Sequence, residues 1–210
     1  MPQFPISAID SIIKSISDEN FLQSTEENDR LIALRDKAFL LTLADTGLRV
    51  HEACALRRGD IDWNEGKAMI IGKGNKQAVI RFSTRSMDAL LNYLQSRSSL
   101  IDGNLRIPLS AQPLFARHDR GAGKKIKPMT TTSGRNIVTD RVRQLLGEDA
   151  VGTITPHSFR HFFVTRVLRS SNNLKLAQEL ARHQNIAVTQ RYAHLTDDEL
   201  DKGYWRAIEE

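Results

Sequence analysis

The sequence lacks three features that would each define a protein class. It has one cysteine, Cys54, in 210 residues, so no internal disulfide can form, and a reduced, cytoplasmic setting is expected. It has no apolar run near the roughly 20 residues that a bilayer-spanning helix needs, so a membrane span is excluded on length. It also has no Cys/His set or carboxylate cluster with metal-site spacing, so no metal ligands are assigned.

The amino-acid composition is typical of a folded domain, and the charges are distributed unevenly along the chain. Hydrophobic residues make up 40% and charged residues 26% of the chain, which is typical of a compact core. The net charge is +5, but residues 63 to 195 carry 21 Lys/Arg against 8 Asp/Glu, while both ends are acidic. Clustered cations favour a polyanion partner; the alternative is a solvated basic face.

Periodicity and turn residues predict a mostly helical chain with one small antiparallel sheet. We expect helices near 8–16, 28–47, 49–56, 84–97, 131–146, 156–170, 173–182, 186–193 and 196–208. Asn28 or Asp29 is the expected cap of the long second helix, with Gly47 at its end, and Thr84 is the expected cap of the fourth. Lys67–Ile71 and Gln77–Phe82 predict a hairpin. The stretch 101–129 holds three of the six prolines and predicts a basic, partly mobile loop.

The stretch "PHSFRHF" places polar side chains at the start of a predicted helix. Pro156 suits the first turn, and His157 and Arg160, three residues apart, lie on one face. A guanidinium and an imidazole that converge there could hold a tetrahedral oxyanion. The alternative is a helix whose polar face happens to carry His and Arg.

Three further segments carry polar side chains that could take part in the same chemistry. "TGLRVHEACAL" places Arg49 after a helix break, three residues before Glu52, and "IGKGNKQAVIRF" places Lys73 in the hairpin turn. "ELARHQNIAVTQRYAHL" places His183 nine residues before Tyr192. With His157 and Arg160, this ordered set resembles the catalytic domain of the tyrosine recombinases, the phage integrase family, from about residue 29 to residue 195.

The resemblance implies a fold and a reaction. The fold is mostly α with a small antiparallel β-sheet (α+β), formed by a single catalytic domain over 1–210, with 1–28 as a lead-in, 196–210 as a tail helix and the usual N-terminal core-binding domain absent. The reaction is metal-independent DNA cleavage and rejoining without a cofactor, through a 3′-phosphotyrosyl intermediate. The implied catalytic residues are Arg49, Lys73, His157, Arg160, His183 and Tyr192, with Glu52 supporting His157 or Arg49.

Other residues compete for some of these roles. Lys76 could replace Lys73, whereas Tyr93 and Tyr204 are interpreted as packing residues. His161 is interpreted as a helix neighbour pointing elsewhere, His194 as support for the tyrosine segment, and His51 as a surface residue. Candidates for DNA contact are Lys76, Arg81, Thr132, Arg135 and Arg141.

The sequence departs from the family pattern in two ways. Arg182 stands where the family usually has glycine before the second histidine, which puts the local backbone in question. The short lead-in indicates either a fragment of a longer protein or a single-domain member like the fimbrial phase-switch recombinases.

The resemblance also implies partners. Double-stranded DNA is the expected partner, bound by a homotetramer that is a monomer or weak oligomer when free, and the tail is expected to dock on a neighbouring protomer. The alternative functions are a type IB topoisomerase-like enzyme and a non-cleaving DNA-binding regulator.

Overall fold

The computed structural model divides the chain into two compact units, Met1–Phe163 and Val164–Glu210. The structure describes residues 6–17, 26–71, 77–98, 107–119, 126–183 and 185–190. Among these residues no helix is long and apolar enough to cross a membrane. The predicted tail helix 196–208 lies outside the described residues.

The first unit is built around one central helix. Its helices are α1 (Ile6–Ser17), α2 (Glu27–Thr46), α3 (Val50–Ala55), α4 (Thr84–Ser98), α5 (Thr131–Leu146) and the start of α6 (Pro156–Ser171). Every residue of α2 from Ala38 to Ala44 is buried, because other parts of the unit pack on all sides of this stretch. Phe39 contacts Phe115 edge-on, with ring centroids 5.1 Å apart. The end of α2 is therefore held rigidly within the core.

A three-stranded antiparallel sheet carries the predicted hairpin. Strands β1 (Ile61–Asp62), β2 (Lys67–Ile71) and β3 (Gln77–Arg81) follow the order β1-β2-β3. Met69 pairs with Val79 on the exposed face, while Ala68 and Ile80 pair on the buried face. The hairpin prediction is confirmed, although the two-residue strand β1 was not predicted.

The chain between α4 and α5 contributes to the core. In its described part, 107–119 and 126–130, it forms a 3₁₀ turn at Leu109–Ala111 and single bridges from Pro113 to Arg57 and from Ala116 to Pro128. Leu114 and Phe115 are fully buried. The burial of 114–116 was not predicted, because apolar residues without helical or strand periodicity still pack when long-range contacts cover them.

In the described part of the second unit, two short helices follow the end of α6. They are α7 (Leu174–Ala181) and α8 (Ile186–Gln190). The side chain of Asn173 caps α7 by accepting a hydrogen bond from Leu176 N at 2.9 Å. Ala177 and Ala181 are the buried residues of α7.

Most predicted helix bounds are confirmed to within one or two residues, but two predicted caps are wrong. Helix α2 begins at Glu27, ahead of Asn28 and Asp29. Thr84 is already helical, and Ser83 Oγ accepts the hydrogen bond from Ser86 N at 3.2 Å. Adjacent polar residues made the capping position ambiguous in the sequence.

Candidate active site

The turn between α2 and α3 brings Arg49 to the surface. Gly47 ends α2 in the left-handed conformation, with φ 61° and ψ 22°. A Cβ on Gly47 would lie 2.4 Å from Phe163 Cδ1, so only glycine fits against that ring. Thr46 Oγ1 donates to Thr42 O at 2.6 Å and accepts from Leu48 N at 3.2 Å. The turn is therefore fixed on both sides of the glycine.

Glu52 holds Arg49 by two hydrogen bonds. Arg49 N donates to Glu52 Oε2 at 2.8 Å, and Arg49 Nη1 donates to Glu52 Oε1 at 3.2 Å. A glutamate in the first turn that reaches back to the residue before the helix stabilises the helix start. The Glu52 side chain is 4% exposed, whereas that of Arg49 is 45% exposed. The buried carboxylate thus orients a guanidinium that still faces solvent.

Arg160 joins the start of α6 to the same turn. The residue is 3% exposed, and its Nη1 donates to the carbonyl oxygen of Gly47 at 2.5 Å. A buried guanidinium requires hydrogen-bond partners, and a backbone carbonyl provides one without cancelling the positive charge. Residues 47 and 160 are therefore adjacent in space, although 113 positions separate them.

His157 lies one turn before His161 on α6. The two rings pack edge-on, with centroids 4.4 Å apart. The prediction that His161 points elsewhere is wrong, since residues four apart lie on the same helix face. Burial lowers the pKa of His161 to about 4, and the neighbouring His157 and Arg160 contribute.

Partial burial lowers the pKa of His157, and the charges of Arg160 and Arg49 lower it further. His157 is exposed overall, so solvent screens part of each effect. The direction still favours a neutral imidazole at pH 7. We call Arg49, Glu52, His157 and Arg160 the arginine cluster. Its two guanidinium groups and neutral imidazole can bind an anion and accept a proton.

The second unit holds His183 through neighbours in sequence. His183 Nδ1 is 2.8 Å from Thr189 Oγ1, and Gln178 Nε2 donates to the His183 carbonyl at 3.1 Å. Thr189 is fully buried. The preceding Arg182 adopts the left-handed conformation, with φ 57° and ψ 43°. The arginine thus takes the backbone geometry that favours glycine. We call residues 174–190 the His183 segment.

Comparison with known proteins places these residues in one family. Residues 17–199 match the model of the phage integrase family. The chain belongs to the phage integrase family. It is 32% identical over 178 residues to the tyrosine recombinase XerC of Halalkalibacterium halodurans, covering 84% of this chain and 55% of that protein. It is 33% identical over 193 residues to the XerC of Vibrio vulnificus, covering 91% and 56%.

Solved structures show the same fold. The XerH site-specific recombinase bound to difH substrate superposes with a TM-score of 0.70 at 20% identity, covering 96% of this chain and 53% of that one. The XerA recombinase gives a TM-score of 0.68 at 23% identity, covering 99% and 66%. The predicted integrase catalytic-domain fold is confirmed. The chain spans about half the length of the curated relatives it matches.

Several predicted site residues of this integrase-family chain lie outside the described residues. These are Lys73, Lys76 and Tyr192, and also His194 and Tyr204. Their assignments remain predictions. Tyr93 is fully buried, with its hydroxyl 2.8 Å from His118 Nε2, so its interpretation as a packing residue is confirmed. His51 is exposed, as predicted.

The candidates for DNA contact differ in their surroundings. Arg81, Thr132 and Arg135 are exposed. Arg141 is partly buried, which lowers its pKa, while the charge of Asp36 acts in the opposite direction. The first three are therefore accessible to a phosphate, whereas Arg141 lies near a carboxylate of its own unit.

Two partners of the site residues were not predicted from the sequence. The Gly47 carbonyl carries no side-chain signal, although a glycine directly before Leu48 and Arg49 marks the turn where backbone groups are accessible. Thr189 follows His183 by six positions, and no sequence pattern marks it as a partner of the histidine. Among the described residues no group of three or more His, Cys, Asp or Glu side chains is placed to hold a metal ion.

Proposed function

We propose that this chain is the catalytic part of a site-specific DNA recombinase or integrase that cleaves and rejoins strands through a 3′-phosphotyrosyl intermediate. The observation that carries the proposal is the arginine cluster, in which Arg160 is anchored on the Gly47 carbonyl and Arg49 on Glu52. This cluster belongs to a chain whose family is established by its match over residues 17–199.

The two arginines would bind the scissile phosphate. Hydrogen bonds fix one nitrogen of each guanidinium in a known orientation, and each planar group has five N–H donors. Donors that are oriented in advance stabilise charge as it moves onto the two non-bridging oxygens, and losing one commonly costs on the order of 10² to 10³ in rate. The proposed role of Arg49 and Arg160 is therefore electrostatic.

The nucleophile would be Tyr192, with His157 as its proton acceptor. A tyrosine has a pKa near 10, so it must lose its proton as its oxygen attacks the phosphorus. His157 suits this step because its lowered pKa keeps the ring neutral at pH 7. The new Tyr192–phosphorus bond replaces the bond to the 5′ oxygen, which leaves as a hydroxyl.

The leaving oxygen needs a proton and the phosphate needs a further donor. We assign the proton to Lys73, with Lys76 as the alternative, and the donor to His183. If the Thr189 hydroxyl donates to Nδ1, the ring proton of His183 lies on Nε2, the nitrogen that would donate to the phosphate.

Double-stranded DNA is the proposed partner, and assembly into a homotetramer on DNA is part of the proposal. The excess of cations in residues 63 to 195 supports the binding of DNA. Lys76, Arg81, Thr132, Arg135 and Arg141 are the proposed contacts, and residues 196–210 are proposed to dock on a neighbouring protomer.

Covalent trapping tests the function. The chain would be incubated with nicked duplexes drawn from the DNA flanking its gene and analysed on denaturing gels, with Tyr192→Phe as the variant and Tyr204→Phe as the matched control. We expect a DNA-linked band from the native chain and the control that is absent from Tyr192→Phe. DNA binding without a covalent band would support the regulator instead.

A further inference from the structure

A half-buried carboxylate joins the end of α2 to the start of α4. Asp45 lies in the last turn of α2, and its side chain is 9% exposed. Its Oδ2 accepts hydrogen bonds from Ser83 Oγ at 2.5 Å and from Arg85 Nε at 2.7 Å. Its Oδ1 accepts a further hydrogen bond from Arg85 Nη2. The contact is thus a bidentate ion pair with an added hydroxyl.

The position of Asp45 is electrostatically unfavourable by itself. The last turn of a helix carries the negative end of the helix dipole, which repels a carboxylate, and burial removes much of the hydration of Asp45. The paired donors of Arg85 and the hydroxyl of Ser83 offset both effects. Because Arg85 binds the carboxylate through two nitrogens, the contact favours one geometry between the two helix ends.

The contact links two parts of the proposed active site. Asp45 precedes Gly47 by two residues and Arg49 by four. Ser83 follows β3 by two residues, and Phe82 N donates to Gly66 O at 2.8 Å, which closes the base of the hairpin. Lys73 lies two residues after the end of β2 in the sequence. The base of the Lys73 hairpin is therefore attached to the helix end that leads to Arg49.

We propose that Asp45 and Arg85 are positioning residues that hold the base of the β2–β3 hairpin, which carries Lys73 in the sequence, against the end of the helix that leads to Arg49, so that Lys73 and Arg49 act on the same phosphate. This inference rests on the proposed function. Neither residue touches the reacting atoms; both act through the backbone segments they join. A misplacement of about 1 Å in an active site can reduce the rate about 10²-fold.

The test separates loss of the general acid from loss of stability. Cleavage forms the Tyr192 oxygen–phosphorus bond and breaks the phosphorus–5′ oxygen bond, and the leaving oxygen takes the proton from Lys73. With a 5′-bridging sulfur the leaving group departs as a thiolate, because a thiol has a pKa of about 8.5. A phosphorothiolate substrate therefore needs no proton from Lys73.

Asp45→Asn and Arg85→Gln would be compared on the two substrates with the native chain and Lys73→Ala. We expect each positioning variant to cleave the ordinary phosphodiester roughly 10- to 100-fold more slowly. On the phosphorothiolate both should recover to within about threefold of the native rate, as Lys73→Ala should. Arg143→Gln is the matched control, because it breaks the exposed ion pair of Arg143 with Glu148 on a helix that does not carry the hairpin.

Arg85→Gln keeps the test valid if Asp45→Asn does not fold, because the Arg85 side chain is 39% exposed. Native rates on both substrates, or equal slowing on both, would overturn the inference while leaving the proposed function intact. Absence of any covalent product from the native chain on either substrate would overturn both.

Discussion

The arginine cluster contains a hydrogen bond of much longer sequence range than those described for His183. In the cluster, Arg160 donates to the carbonyl of Gly47 across 113 positions. In the segment, the hydrogen bonds of His183 to Gln178 and Thr189 span five and six positions. Long-range contacts form only when the whole unit folds, whereas local ones depend on a few residues.

This difference predicts how the two regions respond to mutation. Changes in the cluster should alter the stability of the first unit and the cleavage rate together. Changes in the His183 segment should act locally, with a small effect on global unfolding. The effects on the cleavage rate rest on the proposed function.

Arg160→Ala should have the largest effect. It removes a proposed phosphate ligand and leaves the Gly47 carbonyl without the donor seen at 2.5 Å. We expect the rate of cleavage to fall by a factor of about 10² to 10³. We expect the free energy of unfolding to fall by about 2 to 4 kcal/mol. Urea unfolding and single-turnover cleavage measure the two effects. Arg169→Ala, an exposed arginine of the same helix, is the control, and equal losses in both variants would contradict the prediction.

Gly47→Ala should be the next most damaging. The left-handed backbone costs a residue with a Cβ roughly 1 to 2 kcal/mol, and the new methyl would lie 2.4 Å from Phe163 Cδ1. We expect a loss of about 3 kcal/mol or more in the free energy of unfolding. Thermal and urea unfolding measure it.

Gly152→Ala is the matched control for that substitution. Gly152 has φ 85°, and no atom lies within 4 Å of the position that a Cβ would take there, so the alanine meets backbone strain without the overlap. The difference between the two variants isolates the contact with Phe163. Equal losses would mean that the Phe163 ring moves aside freely and that the turn is less rigid than the contacts indicate.

Acid should weaken the region that contains the cluster. Unfolded histidine has a pKa of about 6.5, whereas burial lowers the pKa of folded His161 to about 4. Between these values the unfolded chain binds the proton and the folded chain does not, so stability decreases as the pH falls through this window. We expect His161 to contribute about 1 to 2 kcal/mol, since its ring is partly solvated.

Urea unfolding at several pH values from 7 to 4 checks this contribution. His161→Phe should flatten the dependence of stability on pH, because phenylalanine fills the site without binding a proton. His51→Phe, at an exposed position, is the control for the replacement of a histidine by phenylalanine. Identical slopes for native chain and His161→Phe would contradict the prediction.

The sequence predicted the elements of the fold better than their contacts. The helices and the hairpin carry strong local signals, such as the 3.6-residue period of α4 and the glycines between β2 and β3. Strand β1 has two residues, too few for any period. The burial of Phe115 depends on Phe39, 76 positions earlier, and no local pattern contains such a contact.

In the candidate site too, the sequence predicted side chains better than the groups that contact them. The resemblance to the tyrosine recombinases implied roles for Arg49, Glu52, His157, Arg160 and His183, because their side chains match the family's pattern in the sequence, and these roles stay predictions. The groups that hold them were missed when they were backbone atoms, as at Gly47, or a single hydroxyl, as at Thr189. Asp45 and Arg85 were also missed, since their pairing joins positions 40 residues apart.

Arg182→Gly should have the smallest effect and should stabilise. The native arginine has φ 57°, a conformation that costs residues with a Cβ roughly 1 to 2 kcal/mol. Glycine removes that strain but loses about 0.5 to 1 kcal/mol through its greater freedom in the unfolded chain. We expect a net gain of about 0.5 to 1 kcal/mol, localised to the His183 segment and measured by amide hydrogen exchange of residues 174–190.

Asn172→Gly separates backbone strain from the general effect of glycine. Asn172 also has a positive φ, 48°, but asparagine tolerates the left-handed region, so its replacement relieves little strain and should not stabilise. A gain in stability for Arg182→Gly without a gain for Asn172→Gly would show that the arginine is held in place against its backbone preference. A loss of stability for Arg182→Gly would mean that the side-chain contacts of Arg182 outweigh the backbone strain. The arginine would then fix the backbone before His183 by a contact that glycine cannot make.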